Sequence, residues 1–284
     1  MTRATVAAVA VAFLLLPQML PGQAPSGGAQ KPDTPQQATA NPASTQQHTR
    51  TPRENEVLRA DVLMARKQYA EAISVYQKLL QQEPRNAILL NKVGIAYHQL
   101  QKLDGAKRYY QRATKADRTY ASAVNNIGTI HYQRKNYRKA IQFYRKALEL
   151  GPDVAAIHSN LGYAYFERKQ YDLALESFHR AIELDPAVFE RSQRAGSLLQ
   201  DRSVSEHGLF YFLLAKTFAK LGNAERCAVY LRKARDEGYK GMAAAQTDPA
   251  FAGVLKDPSI QDVLQQTSPP GDPMRQAPPG PPGS

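Results

Sequence analysis

The small and aromatic residues between positions 53 and 186 recur with a period of 34 residues. An alanine marks each step, an aromatic follows four residues later, and leucine or alanine follows three residues after that. These positions are Ala72, Ala106, Ala140 and Ala174, then Tyr76, Tyr110, Tyr144 and Phe178, then Leu79, Ala113, Ala147 and Ala181. Spacings of four and three place side chains on one face of a helix. The pattern therefore predicts one amphipathic helix in each of four copies.

A second helix precedes this one in each copy. Val124, Gly128 and His131 again have spacings of four and three. Small residues stand twelve positions before the alanines, at Ala60, Gly94, Gly128 and Gly162. They allow two helices to cross closely while the aromatics fill the space beside them. Prolines at 84, 152 and 186 stop the second helix. Each unit is predicted to be a helix-turn-helix hairpin.

The stretches NNIGTIHYQRKNYRKAIQFYRKALELGP and SNLGYAYFERKQYDLALESFHRAIELDP resemble the tetratricopeptide repeat in period and in skeleton. The resemblance covers residues 53–186 in four consecutive copies. It implies an all-α fold, a right-handed α-solenoid whose first helices line a concave groove. A fifth, repeat-like copy is predicted over residues 208–240, after an insertion at 187–207. In that copy Cys227 takes the small-residue position and is expected to be buried.

The insertion at 187–207 has two alternative interpretations, a helix through Phe189 to Gln200 or a packed loop. Residues 241–267 contain two Asp-Pro helix starts. They are predicted to form short helices that cover the apolar end of the last repeat. The predicted solenoid therefore has about five hairpins and a C-terminal cap.

Composition at the two ends of the chain differs from the repeats. Residues 1–24 combine Arg3, an apolar run from Ala4 to Leu16 and a small-residue cleavage site, which is typical of a signal peptide. The apolar run is too short for an ordinary membrane span, although an uncleaved anchor is the alternative. Residues 25–52 and the proline-rich tail at 268–284 are expected to be disordered. We therefore expect an exported, periplasmic or extracellular protein with no stable membrane insertion.

The candidate binding site is a stripe along the first helices, on the side facing the groove. The predicted groove residues are Asn91, Ile95 and His98, then Asn125, Thr129 and Tyr132, then Ser159, Tyr163 and Phe166. The family resemblance adds Asn126 and Asn160. Asparagine can pair with a peptide backbone and aromatics supply rigid contact area, so a peptide or protein partner is expected. In the alternative interpretation the insertion or the C-terminal helices cover these aromatics.

Charge is concentrated in the middle of the chain. Residues 101–146 contain twelve Lys and Arg against Asp104 and Asp117, which gives +10 of the net +12. Many of these cations fall on the second helices. They form either a solvated face or a surface that attracts an acidic partner or an anionic envelope. Nucleic acid is not expected as a partner of an exported protein.

Catalysis is not predicted. The sequence has no GxSxG, HExxH, phosphate-binding glycine loop or paired-cysteine motif, so neither a cofactor nor a metal is expected. The favoured function is a scaffold or adaptor that holds a partner in its groove. The alternative is a structural assembly subunit or spacer of an envelope complex, acting through self-association or its basic convex face.

Overall fold

The computed structural model describes residues 50–190 and 206–266, and within these ranges the regular structure is entirely helical. The first four hairpins are α1 (Pro52–Ala65) with α2 (Tyr69–Gln82), α3 (Ala87–Gln99) with α4 (Leu103–Ala116), α5 (Ala121–Gln133) with α6 (Tyr137–Leu150), and α7 (Ala155–Glu167) with α8 (Tyr171–Leu184). The fifth is α9 (His207–Lys220) with α10 (Ala224–Asp236). Two short 3-10 helices, Met242–Gln246 and Pro249–Phe251, and α11 (Pro258–Gln265) follow. The predicted solenoid with a C-terminal cap is confirmed.

The turn inside each hairpin depends on one residue with left-handed backbone conformation. Lys67, Gln101, Lys135 and Lys169 have φ between 56° and 62°, and Gly222 takes this place in the fifth hairpin with φ 69°. In the first hairpin the amide of Gln68 donates to the carbonyl of Leu63 at 2.9 Å. This six-residue bond closes the end of the helix as in a Schellman motif. Each hairpin turn therefore has a left-handed residue at the same position of the repeat.

Glycine at the helix crossing is required by the aromatic ring of the partner helix. A Cβ atom at Gly128 would lie 2.7 Å from Cε1 of Tyr144, and one at Gly162 would lie 2.3 Å from Cε1 of Phe178. Both rings are completely buried, as are the alanines that flank them in α6 and α8. Interiors are close-packed, so the ring occupies the space that the glycine leaves. This contact holds each first helix against its second helix.

The C-terminal cap buries apolar side chains against the fifth hairpin. Cys227 is fully buried at the crossing position of α10, as expected. Phe251, Ile260 and Val263 are fully buried and belong to the same core. Asp257 caps α11, since its Oδ1 accepts a hydrogen bond from the amide of Ser259 at 2.9 Å. The two Asp-Pro starts therefore behave as the sequence predicts.

Several predicted segments fall outside the described residues. These are the signal peptide at 1–24, residues 25–49 of the predicted linker, residues 191–205 of the insertion, and the tail at 268–284. Of the insertion, Val188 and Phe189 are described and both are buried. None of the helices within 50–190 and 206–266 combines the length and the apolar character needed to cross a bilayer.

Candidate partner-binding surface

The first helices of neighbouring hairpins are joined by a line of side-chain amides. Asn126 Nδ2 donates to Asn91 Oδ1 at 3.0 Å, and Asn160 Nδ2 donates to Asn125 Oδ1 at 3.0 Å. Asn125 Nδ2 donates to Asn126 Oδ1 at 3.2 Å, and this hydrogen bond connects the two pairs. Asn91 in turn donates to the Tyr120 hydroxyl at 3.5 Å. We call these four asparagines the asparagine ladder.

The ladder runs along the first helices of three successive hairpins. It connects α3, α5 and α7, which are first helices, and the concave side of a solenoid is formed by one such series of helices. Asn125 is half-buried, whereas Asn91, Asn126 and Asn160 are 5%, 7% and 8% exposed. Each amide is therefore held in a fixed orientation by its neighbours.

Three other predicted groove residues are buried beneath the ladder. The Thr129 hydroxyl accepts a hydrogen bond from Tyr144 at 3.2 Å and donates to the carbonyl of Asn125 at 3.3 Å. His98 Nε2 hydrogen-bonds to Gln133 Oε1 at 2.7 Å. Burial lowers the pKa of His98, so its ring stays neutral at physiological pH. Tyr132 packs edge-on against Tyr137. These side chains support the groove floor.

The aromatic residues predicted in the fourth copy lie inside an aromatic cluster. Tyr163 stacks on Phe210 of α9, with ring centroids 5.3 Å apart, and also contacts Phe189 of the insertion. Phe166 packs edge-on against the same Phe210. Tyr163 and Phe166 are each 2% exposed. The contact with Phe189 agrees with the alternative interpretation in which the insertion covers these aromatics, whereas Phe210 belongs to the fifth hairpin and not to the C-terminal cap.

The remaining predicted residues have smaller parts in the surface. Ser159 is buried, and its hydroxyl donates to the carbonyl of Ala156 at 3.0 Å. Ile95 is half-buried and packs against the small core around Tyr110. Among the eleven predicted groove residues, the four asparagines thus carry the polar chemistry of the surface.

Two apolar residues that the sequence analysis did not select are exposed on the first helices of the first two hairpins. Leu58 of α1 is 41% exposed and Ile88 of α3 is 56% exposed. They lie about one turn before Asp61 and Lys92, whose side chains form an ion pair at 2.6 Å between the same two helices. Leu58 and Lys92 stand 68 and 34 residues before Asn126, so the repeat period itself could have identified Leu58. We call Leu58, Ile88 and the Asp61–Lys92 ion pair the apolar end of the candidate surface.

Within 50–190 and 206–266, no three His, Cys, Asp or Glu residues come together as a metal site would require. Burial raises the pKa of the Cys227 thiol to about 12. Such a thiol is not a nucleophile at neutral pH.

Models of one repeat family match the chain over most of its hairpins. The tetratricopeptide repeat matches residues 87–120 and 155–187, and the TPR repeat matches residues 60–101 and 128–168. Residues 60–187 are tetratricopeptide repeats. The predicted family is confirmed. Repeats of this family are generally non-catalytic scaffolds for protein interactions, and the chain has that architecture.

Solved structures similar to this tetratricopeptide chain are distant in sequence. PilF of Pseudomonas aeruginosa is 18% identical, with a TM-score of 0.49, covering 76% of this chain and 88% of its own. TTC0263 of Thermus thermophilus is 14% identical, with a TM-score of 0.47, covering 72% and 99%. YrrB, described as a TPR protein with an unusual peptide-binding site, is 20% identical, with a TM-score of 0.42, covering 68% and 89%. No curated protein matches the chain significantly.

Proposed function

We propose that this protein is an exported, non-catalytic scaffold that binds an extended segment of a partner protein along the asparagine ladder. The observation that carries the proposal is the continuity of the ladder. Four amides from three successive hairpins are linked by hydrogen bonds of 3.0 to 3.2 Å. A surface that continues across hairpins suits a ligand that also extends across them.

Asparagine chemistry fits a peptide backbone. A side-chain amide offers two N–H donors and a carbonyl with two lone pairs, and the bonds within the ladder use only part of this capacity. The backbone of an extended peptide presents N–H and C=O groups in alternation, so either group can be met. Because the orientation of each amide is already fixed, little side-chain entropy is lost on binding.

The apolar end supports the same proposal. Leu58 and Ile88 are exposed beside the Asp61–Lys92 ion pair, where an apolar side chain of the ligand would bury surface. The buried residues Thr129, Tyr132 and Tyr163 would then act as the rigid layer below the ligand rather than as contacts. Specificity would come from an apolar anchor at one end and backbone recognition at the other.

Binding can be tested with peptides selected from a random display library against residues 25–284. The groove variant is Leu58→Glu with Ile88→Glu, and the matched control is Leu221→Glu with Val229→Glu, two exposed apolar positions of the fifth hairpin and its turn. Selected peptides should bind the control with unchanged affinity and the groove variant at least about tenfold more weakly. Equal binding by both variants would refute groove recognition.

Export is proposed from residues 1–24 alone. The test is to express the full chain in a bacterial host, separate the cell compartments, and determine the N-terminus of the recovered protein. A mature chain that starts near Pro25 outside the cytoplasm is the expected result. A full-length cytoplasmic chain would contradict export without affecting the groove proposal.

A further inference from the structure

A second surface of this protein carries a large, uncompensated positive charge. Its cations lie on α4, α6 and the adjoining turns: Lys102, Lys107, Arg108, Arg112, Lys115, Arg118, Arg134, Lys135, Arg138, Lys139, Arg145 and Lys146. Within the described residues only Arg134 of this set forms an ion pair, with Asp104 at 2.6 Å. None of the other eleven forms an ion pair there, although Asp104 also interacts electrostatically with Lys107 and Arg108. We call this set the basic face.

Elsewhere in the solenoid, cations form ion pairs with acidic residues of other structural elements. Lys92 pairs with Asp61 of the preceding hairpin, Arg180 pairs with Asp153 at 2.8 Å, and Lys216 pairs with Asp248 at 2.5 Å. These contacts neutralise charge between structural elements. A face on which nearly every cation lacks such a partner raises the local potential and attracts anions.

Cations of α4 and α6 act electrostatically on one side chain, His131. His131 of α5 stacks on Phe143 of α6, with ring centroids 5.2 Å apart. Burial and the nearby charges of Lys107, Lys139 and Arg134 lower the pKa of His131. Lys107, Lys139 and Arg134 belong to different elements, and all three act on the same imidazole ring.

At its other end the basic face borders a small cavity. The cavity has a volume of 180 Å³ and lies between Arg85, Arg112 and Lys115, with Leu90, Pro84 and Ala116 as its apolar walls. The Arg112 guanidinium lies 5.0 Å from the ring centroid of Tyr109, a cation–π contact that restrains it. A carboxylate on a short apolar stem matches this combination of charge, size and walls.

We propose that the basic face binds an acidic segment of a protein partner, rich in Asp and Glu, whose side chains enter the cavity between Arg85, Arg112 and Lys115. Guanidinium groups bind carboxylates through two parallel hydrogen bonds. The cavity can accept a side chain that projects from a polypeptide. The flat surface of a bilayer offers no such projection, so the cavity favours a protein partner. The cationic groups of this site belong to α4 and to the turn between α2 and α3, and none of its lining residues is a member of the asparagine ladder. The proposal therefore does not depend on groove recognition.

The probe is a fluorescent poly-glutamate dodecamer, measured by anisotropy with residues 25–284. The test variant is Arg112→Gln, Lys115→Gln, Lys139→Gln. The control variant, Lys220→Gln, Lys240→Gln, Lys256→Gln, changes net charge equally at sites elsewhere. We expect the test variant to lose about five- to tenfold in affinity and the control less than about twofold. Raising salt from about 0.05 M to about 0.3 M should weaken binding, because charge interactions are screened.

Four results would overturn the proposal. Equal loss in both triple variants would indicate attraction by net charge alone, and equal binding of a glycine-serine dodecamer would exclude carboxylate recognition. Binding of phosphatidylglycerol vesicles without binding of poly-glutamate, lost in the test variant, would identify a membrane surface. Self-association in sedimentation experiments that is lost in the test variant and unaffected by poly-glutamate would identify a second copy of the chain. Weaker binding of the selected peptides by the Leu58→Glu, Ile88→Glu variant would bear on groove recognition and not on this proposal.

Discussion

Asn160 of α7 donates a hydrogen bond to Asn125 of α5 across a distance of 3.0 Å, and the two residues are 35 positions apart. Asn126 and Asn91 repeat this relationship one hairpin earlier, also at 35 positions. The separation is one residue more than the repeat period. Each bond therefore joins non-equivalent positions of neighbouring repeats, which is how a row of amides becomes continuous across the groove.

The coupling within this pair can be measured directly. Asn125→Ala and Asn160→Ala should each lower the free energy of unfolding by about 1 kcal/mol, with a coupling energy of about 0.5 to 1.5 kcal/mol in a double-mutant cycle. Urea denaturation provides the values. Asn86→Ala combined with Asn160→Ala is the control and should be additive, because Asn86 caps α3 and is not part of the ladder. Additivity in both cycles would show that the bond contributes no stability.

Replacement of the crossing glycine should destabilise the fourth hairpin. In Gly162→Ala the new Cβ would lie 2.3 Å from Phe178, inside a fully buried contact. The overpacking outweighs the better helix propensity of alanine, so we expect a net loss of about 1 to 2 kcal/mol in the free energy of unfolding.

The matched control is Gly253→Ala, since a Cβ there would meet nothing within 4 Å. That variant should change the free energy of unfolding by less than about 0.5 kcal/mol. If Gly162→Ala were as stable as the native protein, the close crossing of α7 and α8 would not be the reason for glycine at this position.

The hairpins were predictable because the residues that pack the two helices together recur at fixed spacings along the chain. A glycine or alanine, then an alanine, then an aromatic at fixed offsets identifies both helices of a hairpin. The left-handed turns were missed, because four of the five use Lys or Gln rather than glycine. Only the constant spacing of Lys67, Gln101, Lys135 and Lys169 could have indicated them.

The candidate surface was less predictable than the fold. The stripe contains the ladder residues, but the offset that bonds Asn160 to Asn125 depends on how neighbouring hairpins stack. The burial of Tyr163 and Phe166 depends on Phe189 and Phe210, which lie beyond the regular repeats. No pattern within one repeat contains that information.

Glu83 should make stability depend on pH in the acidic range. Hydrogen bonds from Arg53 and Asn86 lower the pKa of Glu83 from 4.5 to about 2. The stabilisation is fully present above the unfolded value of 4.5 and disappears as pH falls towards 2. The native protein should therefore be more stable than Glu83→Gln at neutral pH. This difference in free energy of unfolding should shrink as the pH falls through this interval.

Denaturant unfolding at several pH values between neutrality and 2 measures this difference. Arg53→Gln should show a pH dependence of the same sign, because it removes a donor to the same carboxylate. A difference that stays constant across the interval would mean that the Arg53–Glu83 contact does not persist in solution.

Cys227 should resist thiol reagents in the folded protein. The side chain is fully buried at the crossing of α9 and α10, and burial raises its pKa to about 12. At pH 8 about one thiol in ten thousand would then be ionised, even without the steric barrier.

Labelling with a chromogenic disulfide should be slow in buffer and complete in guanidinium. A control that carries Cys227→Ala and Val229→Cys places the thiol on the exposed side of the same helix and should react at once. Fast reaction of the native protein would show instead that α10 opens readily, and the fifth hairpin would then be a separately unfolding unit rather than a fixed end of the solenoid.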